Sequence, residues 1–204
     1  MKLWHSPASP FVRKVLVIAH ETGQTAKLEI AEASTNAVAR NEELARDNPC
    51  GKIPALVLDD GTVLFDSRVI CAYLDSLHSG AKLSGPGAGG VAGYRALALE
   101  ALGDAIMDAA VLTRYEQALR PAQFRWDEWE AGQVAKVNTS LDHLERRWMD
   151  LLEGPLSMGV ITVGCALGYL DFRFAEMGWR ESRPKLAAWF AKFSERPSMQ
   201  ATRP

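Results

Sequence analysis

A run of fourteen residues at positions 80–93, GAKLSGPGAGGVAG, holds six of the chain's 16 glycines and constrains the fold more than any other feature. Glycine at that density carries too much backbone freedom for the interior of a helix or strand. The run reads as a linker over 80–93. It divides the 204 residues into 1–79, where the apolar period changes often, and 94–204, where no strand pattern survives.

In the first part, residues 2–5 read as a short strand. Phe11, Val15 and Ile18 recur at helical spacing until Gly23, a natural helix terminator. Leu28 and Ile30 alternate with Lys27 and Glu29, which predicts a strand. Residues 38–47 predict a helix stopped by Asn48-Pro49. Residues 55–58 and 63–65 flank Asp60-Gly61, a strong hairpin signal. Ile70, Tyr73, Leu74 and Leu77 then predict a helix opened by Asp66-Ser67. The order is β-α-β-α-β-β-α. In the second part, residues 94–118 are rich in Ala and Leu. Val134, Val137, Leu141, Leu144, Trp148 and Leu151 form one apolar seam, predicting a single long helix. Residues 162–177 are apolar on nearly every side, as in a helix surrounded by others. Leu186, Trp189, Phe190 and Phe193 predict a last amphipathic helix.

Composition narrows the function classes. With 48% hydrophobic and 24% charged residues the chain is an ordinary globular protein, neither disordered nor fibrous. Its 23 basic and 25 acidic residues give a net charge of −2. No basic stripe marks nucleic acid as a partner. Cys50, Cys71 and Cys165 are odd in number and lack both a CxxC pair and zinc-ligand spacing. They predict neither a disulfide framework nor a metal site, and they suit a reducing cytoplasm. Residues 1–10 are polar and Arg13 and Lys14 interrupt the next apolar run, unlike a secretory signal. The uncharged stretch 154–170 contains Pro155, Ser157 and Thr162. It is shorter than the ~20 residues of a membrane span. It reads as a loop entering a buried helix, so no membrane is expected.

Five local patterns, in order, resemble the cytosolic glutathione S-transferases over essentially the whole chain. Ser9-Pro10-Phe11 resembles the start of the first helix in the serine-type classes; omega-type members carry Cys-Pro-Phe there. Asn48-Pro49-Cys50-Gly51-Lys52-Ile53-Pro54 resembles the family's NPxGKVP segment, and Asp66-Ser67 its Glu/Gln-Ser pair. Residues 161–170 sit where the buried core helix begins. Arg196-Pro197-Ser198 and Ala201-Thr202-Arg203-Pro204 are similar to the tails of many bacterial members. One departure is Thr162-Val163-Gly164-Cys165. The family has a Ser/Thr-x-x-Asp capping box there, whose loss would cost on the order of 1 kcal/mol.

The resemblance implies an α/β thioredoxin-like domain over 1–79 and an all-α domain over 94–204 that contributes an electrophile pocket. It implies glutathione as co-substrate, no metal, and a homodimer. Ser67 would hold the γ-glutamyl carboxylate through its N–H and hydroxyl at a helix N-terminus, with Asp66 on the amine. The plain alternative is that both only cap the helix. A cis Ile53-Pro54 bond would turn the Ile53 N–H and C=O toward the cysteinyl backbone. The alternative is a trans proline opening an edge strand. Lys52 would approach the glycine carboxylate, or else be a solvated surface lysine. Ser9 would donate to the thiol sulfur, or else be a simple N-cap. Cys50, in a loop with no His partner in sequence, reads as structural or incidental, and His5 and His20 as structural.

Magnitudes limit what Ser9 can achieve. A thiol of pKa ~8.5 is ~3% ionised at pH 7, and a ~2-unit drop makes it roughly three-quarters ionised. The falling nucleophilicity of the thiolate returns about 8-fold of that gain, leaving about threefold. Most acceleration must come from holding an electrophile against the sulfur. Met107, Val111, Arg114 and Tyr115 share about one face of the helix after the linker. Met107 and Val111 read as core, and Arg114 as a surface cation suited to an anionic or carbonyl-bearing electrophile. The expected function is conjugation of glutathione to small hydrophobic electrophiles. The alternatives are a glutathione-dependent thiol transferase or isomerase, and a non-catalytic glutathione-binding scaffold.

Overall fold

The computed structural model describes residues 1–84 and 90–204. They form two compact units, Met1–Pro86 with Pro197–Pro204, and Gly87–Arg196. Residues 85–89 of the expected linker lie outside the described residues.

The first unit is built on a four-stranded sheet in the order β2-β1-β3-β4. The strands are β1 (Lys2–His5), β2 (Glu29–Glu32), β3 (Ala55–Val57) and β4 (Val63–Leu64). Strand β1 runs parallel to β2, with Leu3 opposite Ile30, and antiparallel to β3, with Trp4 opposite Ala55. Strands β3 and β4 form the Asp60-Gly61 hairpin, in which Leu56 faces Leu64. Helices α1 (Pro10–Glu21) and α3 (Ser67–Ser76) pack against each other. Val12, Val15, Ile18, Ile70 and Leu74 are fully buried on them. The end of α1 is closed by hydrogen bonds from Gly23 N to His20 O and from Gln24 N to Ala19 O, the paired bonds of a Schellman motif. A smaller cluster of Trp4, Ala33, Leu44 and Ala55 fills the opposite side of the sheet under α2 (Glu42–Asp47). Asp47, at the end of α2, accepts from Trp4 Nε1 at 2.6 Å and pairs with Lys2 at 3.0 Å, tying that helix to β1.

Helix α2 starts four residues later than the apolar spacing predicts. Asn36 Oδ1 accepts from Val38 N and Ala39 N, which commits those amides to a turn. Asn41 then caps the helix by accepting from Leu44 N at 2.9 Å. The last residues also differ from the sequence reading. Pro197–Ala201 form a short helix, α9, that packs on α1. Arg13 on α1 donates to Met199 O at 3.1 Å.

The second unit is helical throughout its described residues. It comprises α4 (Val91–Ala118), α5 (Asp127–Arg147), α6 (Met149–Leu152), α7 (Met158–Arg173) and α8 (Pro184–Phe193). A four-stranded thioredoxin-like part followed by a helical part is the fold class expected from the chain. Helix α4 begins at Val91, three residues ahead of the expected start. The apolar seam from Val134 to Leu151 is not one helix: α5 ends at Arg147 and α6 follows Trp148. The break lets Leu152 bury and its carbonyl accept from Trp189 Nε1 at 2.8 Å. Helix α7 begins at Met158, capped by the Ser157 hydroxyl on Val160 N. Thr162 is therefore no cap. It lies one turn inside, donating to Met158 O at 2.7 Å. At the actual cap the third helical residue is Val160, so the reciprocal acceptor of a capping box is missing there as well. Among the described residues no helix is long and apolar enough to cross a membrane.

Helix α7 is buried from Met158 to Leu170, and α4 crosses it closely. A Cβ on Gly159 would stand 3.0 Å from Ala96 O, Glu100 N and Leu99 Cβ. One on Gly103 would stand 2.7 Å from Thr162 Cγ2 and 3.0 Å from Val163 N. Each helix thus presents a glycine to the other's backbone, where a side chain would force the pair apart. Gly159→Val should cost about 1–3 kcal/mol by overpacking. That corresponds to a fall of roughly 2–12 °C in Tm at ~2–4 °C per kcal/mol. Gly132→Ala, on α5 with open space around the added methyl, should instead raise stability by up to ~1 kcal/mol. Thermal unfolding of both variants checks this; a Gly159→Val protein as stable as wild type would contradict the close crossing.

Candidate functional site

The sheet register decides which chain segments meet. Strand β3 runs against β1 with Ala55 beside Trp4, so β3 starts where β1 ends. Strand β4 runs against β3 with Leu64 beside Leu56, so β4 ends where β3 starts. The segments 6–9, 52–54 and 65–67 therefore leave the same end of the sheet on three neighbouring strands, which stand ~4.8 Å apart. Ser9, Lys52, Ile53, Asp66 and Ser67 all lie in those segments.

Two helices begin at that end. Ser9 is the N-cap of α1: its backbone is extended and its Oγ accepts from Val12 N at 3.3 Å. Pro10 follows at the first helical position, where the missing N–H costs no bond. The cap occupies a lone pair of the hydroxyl, so the O–H proton stays available for donation. Asp66 is the N-cap of α3, with Oδ1 accepting from Arg68 N at 3.0 Å. Its Oδ2 has no partner among the described residues. Ser67 opens α3 and is 3% exposed. Its N–H is among those that a helix cannot pair internally, and its hydroxyl has no partner among the described residues. The capping reading of the sequence is thus correct for Ser9 and Asp66, and in each it leaves a polar atom free for a further bond.

The 48–54 segment is held by side chains that sequence reasoning passed over. Asn48, 2% exposed, donates from Nδ2 to Lys52 O at 2.8 Å and accepts at Oδ1 from Cys50 N at 3.0 Å. Thr35 donates to Gly51 O at 3.0 Å, and Arg40 donates to Pro49 O at 3.3 Å. Gly51 has φ +64°, and a Cβ there would meet Arg40 Nη1 at 3.2 Å. The only sequence signal for this scaffold was the Asn-Pro-x-Gly spacing itself. The Ile53-Pro54 peptide bond is cis, as the resemblance implies. The Ile53 side chain packs against the Trp4 cluster, and its N–H and C=O have no backbone partner among the described residues. Lys52 is exposed and makes no ion pair among the described residues. Cys50 is exposed and free.

His5 ends β1 just before the Ser9 segment. Burial lowers its pKa below the usual histidine value, against the opposing pull of Glu32. It is a neutral imidazole at pH 7 and brings no cation to this end of the sheet. Among the described residues no group of three or more His, Cys, Asp or Glu side chains is placed to hold a metal. Along α4 in the second unit, Met107 is fully buried, while Val111, Arg114 and Tyr115 are half-buried.

Comparison with known proteins places this geometry among others. Residues 8–77 match the family model for the glutathione S-transferase N-terminal domain, and residues 127–192 match that for the C-terminal domain. The uncharacterized GST-like protein YibF of Escherichia coli K12 is 35% identical over 206 residues, covering 100% of this chain and 98% of that protein. A crystal structure of a glutathione transferase family member from Pseudomonas fluorescens Pf-5, with bound glutathione, superposes with a TM-score of 0.97. It shares 49% identity over 100% of this chain and 98% of that one. A second structure from the same organism, with bound S-(propanoic acid)-glutathione, gives a TM-score of 0.92 at 48% identity, covering 100% and 99% of the two chains.

Asn48→Ala removes two side-chain bonds that shape the 48–52 turn. At ~0.5–1.5 kcal/mol for each bond, the loss should be about 1–3 kcal/mol. Urea unfolding reads it as a lower midpoint, and an unchanged midpoint would show that the turn holds without Asn48.

Proposed function

Because the chain belongs to the glutathione S-transferase family, we propose that it binds glutathione at the common end of β1, β3 and β4 and conjugates it to small electrophiles, with Ser9 activating the thiol. The observation that carries this reading is the pair of helix N-termini, α1 and α3, opening side by side at that end with a serine at each. Residues 1–79 form the glutathione-binding domain in this reading, residues 80–93 the linker, and residues 94–204 supply the electrophile pocket. The two Pseudomonas fluorescens complexes support it: one holds glutathione and the other a thioether of glutathione, the kind of product that conjugation makes.

Each group of the tripeptide then has a counterpart. The γ-glutamyl carboxylate takes the Ser67 N–H and hydroxyl, at the positive end of α3. Its amine takes Asp66 Oδ2, and the cysteinyl backbone takes the Ile53 N–H and C=O. Lys52 faces the glycine carboxylate. Ser9 gives its hydroxyl proton to the sulfur while its lone pair still caps α1, which makes the chain a member of the serine-type group. Thiolate attack on the electrophile forms the C–S bond, and the leaving group or an added proton completes the product. Disulfide exchange would need a protein thiol where Ser9 stands. Its three free cysteines suit a reducing cytoplasm, and a homodimer is the assembly the family implies.

Calorimetry and kinetics test the reading together. Ser67→Ala should weaken glutathione binding about tenfold, the cost of a hydrogen bond to a charged group. Unchanged affinity would remove Ser67 from the carboxylate. Ser9→Ala should leave glutathione affinity within about twofold yet shift the pH–rate midpoint upward by ~2 units. Its rate at pH 7 should fall by at least about threefold. The sign follows from the chemistry: the hydroxyl favours the thiolate, so its loss returns the sulfur to the higher pKa of a free thiol. A pH profile that does not move would assign the activation to another group. Glutathione binding without turnover of any electrophile would favour the scaffold alternative, and absence of any binding heat at millimolar glutathione would overturn both readings.

A further inference from the structure

Four polar side chains meet inside the helical unit at a level that the α4–α7 crossing sets. Gly159 faces Ala96 and Glu100, and Gly103 faces Thr162 and Val163, so the two helices run side by side in the same direction. Eleven residues, or about 16 Å of helix, separate Gly103 from Arg114. The same step along α7 leads from Thr162 to Arg173. Arg114 and Tyr115 thus arrive at the level of Tyr169 and Arg173, which lie one turn apart on α7. Tyr169 is 6% exposed, and Arg114, Tyr115 and Arg173 each act on it electrostatically.

The two arginines differ from Arg125, Arg146 and Arg147, which also hold no carboxylate among the described residues but are exposed. Arg95, Arg120, Arg180 and Arg183 each hold a carboxylate, of Asp150, Glu116, Asp171 and Asp142 respectively. Arg114 and Arg173 hold none among the described residues. Both are half-buried, and Arg173 Nε is wholly buried without a hydrogen-bond partner among the described residues. The neighbouring acids are engaged elsewhere: Asp171 binds Trp179 Nε1 and Arg180, and Glu116 binds Arg120 and the Trp126 N–H. Aromatic rings flank the cluster. The Arg173 guanidinium lies 3.9 Å from the centre of the Phe172 ring, and Phe174 packs edge-on to Tyr169. Burial raises the phenols of Tyr115 and Tyr169 above the ordinary tyrosine value, so both are neutral donors at pH 7. Arg173 also donates to the Tyr169 oxygen, which leaves the phenol proton for an acceptor. Two guanidinium groups without a carboxylate, beside two phenol donors, satisfy a single planar anion far better than they satisfy each other.

We propose that Arg114 and Arg173, with the Tyr115 and Tyr169 hydroxyls, form a carboxylate-binding site that selects electrophiles bearing a carboxylate beside an aromatic or apolar body. The assignment of that anion to the second substrate rests on the transferase reading above; the anion site itself does not.

The test compares two electrophiles that differ only in charge, 4-chloro-3,5-dinitrobenzoate and its methyl ester. In each, the glutathione thiolate forms a C–S bond at the ring carbon, the C–Cl bond breaks, chloride leaves with the bonding pair, and the thiol proton passes to buffer. Arg173→Gln and Arg114→Gln should each raise KM for the benzoate about tenfold, the loss of one charge-assisted contact. KM for the ester and for glutathione should stay within about twofold. Equal effects on benzoate and ester overturn the proposal, and the two variants on separate helices guard against one that fails to fold. Should the wild type turn over neither compound, the transferase reading fails, and calorimetry with 3,5-dinitrobenzoate still decides the anion site. Binding to wild type that the double variant loses supports the site; no binding to wild type, or equal binding to both, overturns it.

Discussion

Strand β1 is the constraint on which the glutathione reading depends. It pairs in parallel with β2 on one side and antiparallel with β3 on the other, and β3 in turn pairs with β4. That mixed order sends the exit of β1, the entry of β3 and the exit of β4 to one end of the sheet. In an all-parallel arrangement the entry of β3 would lie at the far end, and Ile53 would be a strand length from Ser9. Leu3 and Trp4 anchor β1 in place by burying on opposite faces of the sheet. The Trp4 indole also holds Asp47 and so the α2 segment that leads into the 48–54 turn.

In the proposed reading, helix starts at this end serve two purposes without conflict. A cap needs an acceptor for amide protons, and Ser9 and Asp66 each supply one oxygen lone pair for it. A thiol sulfur or an ammonium group calls on different atoms, the serine proton and the second carboxylate oxygen. The local stability of α1 and α3 therefore does not have to be given up for ligand binding. Ser67 is the complement: it is nearly buried, and its amide and hydroxyl find no partner among the described residues, which leaves both open to an acceptor.

In the helical unit the governing contact is between two backbones rather than two side chains. Gly103 and Gly159 let α4 and α7 approach until other residues' main-chain atoms fill the space that Cβ atoms would take. Close approach fixes the relative register of the helices, and register alone determines which distant residues share a level. The gathering of Arg114, Tyr115, Tyr169 and Arg173 is a consequence of that crossing more than a third of a helix away.

Much of the architecture was legible in the chain before any coordinates. Alternation at Leu28 and Ile30, the Asp60-Gly61 turn, the helical spacing from Phe11 to Ile18 and the Asp66 cap all act within a few residues, and such local preferences are written in the residues themselves. Readings failed where a choice between neighbouring residues was needed. Asn36 diverted Val38 and Ala39 into a turn, Ser157 started α7 one turn ahead of Thr162, and the bond from Trp189 to Leu152 accompanied a break in the seam at Trp148. The sequence by itself determined the kinds of element, their order and the residue types able to meet a tripeptide, because those follow from periodicity and capping chemistry. Only the tertiary structure decided that Asn48 shapes the Lys52 turn and that Arg114 shares a level with Arg173. Those relations depend on strand register and helix separation, which arise from contacts between segments far apart in the chain.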